Sequence, residues 1–261
     1  YPKDFKSLLY VTQILQGMAL KSGVDHWRRN RGCCMGPLYW QINDNWPVAS
    51  WSGIDYYGRW KALHYMAKKF YAPVAVSIQK TEKEVCLFLE NETFEAQNDV
   101  DAVLRLRNLN FEIVKEWKTR IDVEALSSKK LVSFAWDTRM KEKDNLFMEA
   151  EVVLADGNIL YDTETVIPYK HMDLPKPHIT TEVKELENYY EIMMQSDVFA
   201  PFVEMDFEKE DVIFSDNFFT ISNEKPVIIR LDKKDIRKGS FESAQELKKK
   251  LKITTVADTY S

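Results

Sequence analysis

Cysteine is scarce in this chain: three residues in 261, with Cys33 and Cys34 adjacent and Cys86 alone. A bond between neighbouring cysteines is strained and an odd count leaves a thiol over, so a disulfide framework is excluded and buried structural thiols are expected. Their spacing fits no zinc pattern. Glycine-rich phosphate loops are missing too. The four histidines, His26, His64, His171 and His178, stand singly, which suits surface or satisfied core positions better than a ligand set, so neither a metal nor an organic cofactor is expected. Long apolar runs are absent: nothing approaches the roughly 20 residues that a membrane helix needs. The opening "YPKDFKSLLY" has neither the charged n-region nor the apolar h-region of a signal peptide. No single sign of charge dominates, since 36 Lys and Arg are interspersed with 41 Asp and Glu for a net charge of −5. A basic stripe is therefore lacking, and neither nucleic acid nor membrane is an expected partner.

Aromatic residues are present and unevenly placed. Five of the seven tryptophans and six of the eight glycines fall within residues 1–60. Most are concentrated in "MGPLYWQINDNWPVASWSGIDYYGRWK", Met35 to Lys61, which holds four tryptophans and three tyrosines among acids and amides. A core favours aliphatic filler at a clear period. A site that grips a sugar favours flat apolar faces beside hydrogen-bonding edges, and this segment fits the second description.

The chain is long enough for one large domain or two, with a sizeable core. In "DFKSLLYVTQILQGMALKSG", Phe5, Leu8, Leu15 and Met18 recur at helical spacing after an N-capping Asp4. The helix continues through "VDHWRRNRG" to a stop at Gly32, with Arg28, Arg29 and Arg31 near the negative end of its dipole. "CCMGPLYWQI" reads as a short strand apolar on both faces. A polar, aromatic loop follows from Asn43 to Tyr57, then a helix in "GRWKALHYMAKKFY" with Trp60, Leu63, His64, Ala67 and Phe70 at its spacing. Helix, strand, loop and helix make an α/β unit.

From Val74 the period becomes two. "VAVSIQKTEKEVCLFLEN", "DAVLRLRNLNFEIVKEWKTRIDV", "KKLVSFAWDT" and "NLFMEAEVVLADGNILYDTETVIPY" are strand-rich runs at the rhythm of an antiparallel sandwich. "KHMDLPKPHI" is a stiff connector. A second set of runs from Ile179 predicts another small sandwich, in which "SFESAQELKKKLKITTVADTY" supplies a short polar helix or turn and a last strand.

Functional residues of an α/β barrel sit where strands end and loops begin. On that logic the candidates are Trp40, Asn43, Asp44, Trp46 and Trp51, with Trp40 best placed as a platform beneath a sugar ring. For Trp46 and Trp51 sugar contact and loop packing remain equal alternatives, whereas Trp60 is read as core. Hydrolysis of a glycoside ordinarily needs two carboxylates. Asp44 and Asp55 are the acids of the aromatic loop, and either could instead cap it or bind a backbone amide. "NET" at Asn91 is a formal glycosylation acceptor, and "ELKKKLK" reads as a solvated face.

The run Gly36–Lys61, "GPLYWQINDNWPVASWSGIDYYGRWK", resembles the last strand, loop and helix of the catalytic barrel in family 2 glycoside hydrolases, specifically the β-mannosidases. "LLYVTQILQGMALKSGVDHWRR" resembles the helix before that strand. The resemblance implies the C-terminal portion of a (β/α)8 barrel at 1–73, an immunoglobulin-like β-sandwich at 74–172 and a second small one at 173–261. It implies a retaining exo-β-mannosidase as parent, acting on terminal β-D-mannose of glycans without cofactor. In the family both catalytic glutamates lie on earlier barrel strands, so this fragment is expected to hold neither and to be inactive alone. Trp40 would line the subsite at the bond being cut, with Asn43, Asp44, Trp46 and Trp51 shaping the loop beside it. Alternatives are another family 2 activity (β-galactosidase, β-glucuronidase or exo-β-glucosaminidase) or a non-catalytic glycan- or partner-binding module. The compartment is not legible.

Overall fold

The computed structural model describes residues 1–135 and 145–260. Part of the strand run expected at 129–138 therefore lies outside the described residues. Helix α1 spans Phe5–Arg29 and α2 Ala62–Phe70. Asp4 caps the first, its Oδ1 accepting the Ser7 N–H at 2.7 Å, and that bond holds the Asp4 carboxyl below its usual range. The helix ends where Gly32 takes φ 96°, a left-handed conformation that suits glycine. Two apolar stripes run along α1, and the described residues cover only one of them. Tyr10, Ile14, Gly17 and Val24 are buried, whereas Phe5, Leu8 and Leu15 of the face expected from spacing are exposed and its Met18 is half-buried against the Tyr10 cluster.

Seven strands follow: β1 Val74–Lys80, β2 Glu84–Asn91, β3 Gln97–Asn108, β4 Ile113–Val123, β5 Ser127–Ala135, β6 Leu146–Val153 and β7 Ile159–Thr165. They form antiparallel sheets of order β1-β2-β5 and β4-β3-β6-β7. Alternation fills the space between them: Val85, Leu87 and Leu89 of β2, Val100, Ala102, Leu104 and Leu106 of β3, and Met148, Ala150 and Val152 of β6 share one core cluster. Asn91 is built into the turn after β2. Its Nδ2 donates to the carbonyls of Glu95 (2.8 Å) and Glu124 (2.9 Å), so the glycosylation motif is closed in the folded chain.

The second set comprises β8 Ile179–Glu185, β9 Tyr189–Ser196, β10 Ala200–Asp206, β11 Asp211–Val212, β12 Phe219–Ile221, β13 Val227–Asp232, β14 Ile236–Lys238 and β15 Lys252–Thr254. Sheets of order β13-β9-β8 and β12-β10-β15 enclose buried Ile192, Met194, Val203, Met205, Ile221 and Leu231, with a two-stranded β11-β14 ribbon beside them. The expected short polar helix is α3, Ala244–Lys250, whose N-cap Ser243 accepts the Glu246 N–H. Its Lys248 and Lys249 face solvent.

The chain divides into two compact units. One holds Tyr1–Ala19, Tyr39–Met66 and the chain from Pro175 onward; the other holds Leu20–Leu38 and Ala67–Leu174. In the latter, Arg28 of α1 donates to the carbonyls of Phe70 (2.6 Å) and Ala72 (2.8 Å), and Lys21 bridges Asp25 (2.6 Å) and Asp162 (3.1 Å).

Glu90 on β2 is buried and accepts the Ser77 hydroxyl at 2.5 Å. Burial pushes its carboxyl up to about 7. A folded-state value above the unfolded one means that the native state holds more protons between about pH 4.5 and 7. The stability is fully present below about 4.5 and is lost as pH rises through 7. Glu90→Gln keeps an acceptor for Ser77 and removes the titration. Melting of the variant should therefore lose this downward slope from pH 5 to 8 and exceed wild type at pH 8. A wild-type-like slope in the variant would contradict the assignment.

Candidate functional site: an aromatic loop tied by Asp44

The strand expected at 33–42 is a correction: its apolar composition is strand-like, but a strand exists only by pairing, and residues 33–40 form no ladder with any described segment. Pairing begins at its end. Gly53 N–H donates to the Gln41 carbonyl (3.2 Å), Ile54 N–H to Ile42 (2.9 Å) and Asp44 N–H back to Ile54 (3.1 Å). Ile54 bridges Asn43 in parallel and Trp60 in antiparallel sense. Three short stretches thus lie side by side, and the Trp40–Gln41 peptide at their entry is cis.

Asp44 is the knot of the loop, only 5% exposed. Its Oδ1 accepts the Ser50 hydroxyl at 2.5 Å, and its Oδ2 accepts Ser52 Oγ at 2.7 Å and Lys61 Nζ at 3.3 Å. Lys61 also donates to Ser52 Oγ at 2.8 Å. Bonds from Ser50 and Ser52, aided by Lys61, hold the Asp44 carboxyl below its usual range, so it stays ionised. Both serines flank Trp51, whose carbonyl accepts Gln16 Nε2 of α1 at 2.7 Å. Asp55 is also engaged, its Oδ1 accepting the N–H groups of Tyr57 (2.8 Å) and Arg59 (2.9 Å). Of the roles left open for these acids, both serve the loop.

With the backbone fixed, its tryptophans remain uncovered: Trp40 is 70% exposed, and Trp46 and Trp51 are each 62% exposed. Asn43 is exposed as well, its Nδ2 3.2 Å from the Asp44 carbonyl. Trp60 behaves differently, packing on His64 (4.5 Å between ring centroids) and Tyr65 (5.2 Å) beside the cluster of Tyr10, Ile14 and Phe218. Burial holds the His64 imidazole below its usual value. His26, His171 and His178 are exposed, as is Cys33, while Cys86 is buried; all three thiols are free. Among the described residues no helix is long and apolar enough to cross a membrane.

Sequence reasoning singled out Asp44 but missed Ser50, Ser52, Lys61 and Gln16. The signal for the serines was present in "SWS": small hydroxyls on both sides of an exposed indole, within reach of a nearby acid.

Residues 83–171 match the mannosidase Ig/CBM-like domain family, and residues 174–259 match an Ig-fold domain family. The β-mannosidase of Capra hircus is 28% identical over 99% of this chain and 30% of its own length. The crystal structure of a β-D-mannosidase from Dictyoglomus thermophilum, also 28% identical, superposes on 98% of this chain and 30% of that one with a TM-score of 0.84. An exo-chitosanase from Amycolatopsis orientalis reaches a TM-score of 0.74 over 98% of this chain and 34% of that one at 13% identity, a likeness of fold alone. The matches of both sandwiches to mannosidase-type immunoglobulin-like domains, with the likeness to β-mannosidases over the whole chain, are those of a C-terminal portion of a family 2 glycoside hydrolase. Within that class the chain is β-mannosidase-like along its whole length, and it spans about 30% of the curated relatives it matches.

Proposed function

We propose that the chain is the C-terminal part of a retaining exo-β-mannosidase that removes terminal β-D-mannose from glycans. Residues 1–73 complete a (β/α)8 catalytic barrel, and 74–172 and 173–261 are its two immunoglobulin-like sandwiches. The observation that carries this reading is the Asp44 knot, which fixes a loop while leaving Trp40, Trp46 and Trp51 exposed. Large aromatic faces held in water by a buried ionic network gain nothing for folding. They suit the C–H faces of a sugar, with Asn43 at the rim. Trp40 lies beneath the ring at the scissile bond, Trp46 and Trp51 beside it, and Asp44 acts from behind by fixing the loop. The exposed stripe of α1 and the segment 34–40, which joins no ladder of the described residues, suit a barrel wall whose neighbours come from the rest of such an enzyme.

Retaining hydrolysis needs two carboxyl groups about 5–5.5 Å apart, one as nucleophile and one as acid and then base. Asp44 and Asp55 are both bound to their own loop, and the resemblance to family 2 glycoside hydrolases implies that the two carboxyl groups are glutamates on earlier barrel strands of the parent. The test is steady-state hydrolysis of nitrophenyl β-glycosides by the full-length protein and by this chain alone. The full-length protein should prefer the mannoside by at least about tenfold in kcat/KM, and the isolated chain should turn over none. A preference for galactoside, glucuronide or glucosaminide would replace the assignment by another family 2 activity.

A further inference from the structure

The turn from Asp55 to Arg59 carries exposed Tyr56 and Tyr57, whose rings meet edge to face at 5.2 Å. Asp55 closes the turn through its two backbone acceptances, and Gly58 takes φ 82° within it. Because the Asn43–Ile54 bridge is parallel, residues 44–47 and 55–58 leave it in the same direction. The stretches that carry Trp46 and the tyrosine pair therefore start out from the bridge in the same sense.

What steadies the turn comes from far along the chain. Arg59 forks onto Asp211 of β11, Nε to Oδ1 at 2.8 Å and Nη2 to Oδ2 at 3.2 Å. The same guanidinium lies 5.0 Å from the Tyr57 ring centroid and 3.8 Å from Asp55 Oδ2. The segment that presents Asp211 is itself anchored: β11 pairs with β14, and the Phe214 N–H donates to the Tyr65 hydroxyl of α2 at 3.3 Å. Ion pairs this exposed contribute little to folding. A two-point fork does fix orientation, and here the oriented group is a cation stacked on an exposed tyrosine.

We propose that Asp211, in the second sandwich, is a positioning residue for the saccharide site: through Arg59 it holds Tyr56 and Tyr57 as a further aromatic contact for the bound glycan. This role presupposes that the loop is the saccharide site described above. It gives the second sandwich a part in substrate binding.

The experiment compares Asp211→Ala, Asp211→Glu and Tyr57→Ala in the full-length enzyme on a β-1,4-linked mannobiose, alongside hydrogen exchange of residues 55–59. Asp211→Ala should raise KM about fivefold with kcat within about twofold, melt like wild type, and speed exchange of the Tyr57 and Arg59 amides roughly tenfold. Tyr57→Ala should raise KM similarly without adding to Asp211→Ala, and Asp211→Glu should restore KM to within about twofold of wild type. Unaltered exchange in Asp211→Ala, or faster exchange with unaltered KM, overturns the role of Asp211. A wild-type enzyme without β-mannosidase activity refutes the reading of the site itself, an outcome that the exchange data keep distinct.

Discussion

Arg107→Met should destabilise the first sandwich by about 3–5 kcal/mol, the usual loss when one partner of a buried ion pair is removed. Arg107 lies on β3 and Glu149 on β6, with Arg107 Nε donating to the Glu149 carboxylate and Nη1 to the Phe111 carbonyl. Glu149 is fully buried, so the substitution takes the guanidinium from a carboxylate in low dielectric, and Arg105, 3.9 Å away, is already bonded to Glu116 at 2.9 Å. It also strands the Phe111 carbonyl at the β3–β4 turn, where Phe111 itself sits at φ 68°. In a unit of this size the melting point should fall by roughly 10 °C. The double variant Arg107→Met/Glu149→Leu should recover most of the loss, since an apolar pair of similar volume avoids the desolvation of both charges. Urea unfolding of both variants measures this. A single-variant loss below about 1 kcal/mol would mean that the pair is solvated and behaves as a surface bridge.

The sandwiches were legible because period-two patterning has one solution for burial: "DAVLRLRN" must turn its leucines to one face and its arginines to the other, as β3 does. Helix α1 was legible in extent, from Asp4 to Gly32, and illegible in orientation. Its two apolar stripes are equivalent by periodicity, and the choice between them was made by partners far off in the chain, such as Phe218 on Tyr10. Gly17 shows the same limit. A Cβ there would meet Met66 Sδ at 2.3 Å, a close approach of α1 and α2 that spacing alone does not announce.

Within the loop, residue types point to the sugar receptor proposed above, but not to the mechanics of the loop. Asp44 could be named, since an acid among exposed aromatics has few reasons to be there. Its partners depend on a chain reversal that puts Ser50 and Ser52 beside it, and on Lys61 arriving from the start of α2. Asp211 was further out of reach, 152 residues from Arg59. A contact of that separation leaves no local pattern. The strand expected at "CCMGPLYWQI" failed for a related reason: composition specifies what a strand would bury, while pairing depends on neighbours, and among the described residues Gly53 and Ile54 reach only its last two, Gln41 and Ile42.

Trp40→Ala in the full-length enzyme should lower kcat/KM on a β-mannoside by roughly tenfold or more. On the proposed reading, the Trp40 indole lies beneath the sugar and would steady the ring as it flattens toward an oxocarbenium-like transition state. Stacking of a base on an aromatic side chain is worth about 1–3 kcal/mol, and a sugar on indole is assigned that scale by analogy. About 1.4 kcal/mol corresponds to one decade of rate. At 70% exposure Trp40 contributes little to the fold of this chain, so truncation should leave the melting of this chain nearly unchanged and the loss should appear in the kinetics of the full-length enzyme. Trp60→Phe is the control with the opposite signature. Its indole packs on Tyr65 and His64, so melting should fall while turnover per folded molecule stays close to wild type. If Trp40→Ala keeps kcat/KM within about twofold, Trp40 is not the platform. If Trp60→Phe loses turnover without losing stability, the division of this segment into a packed helix and an exposed receptor is wrong.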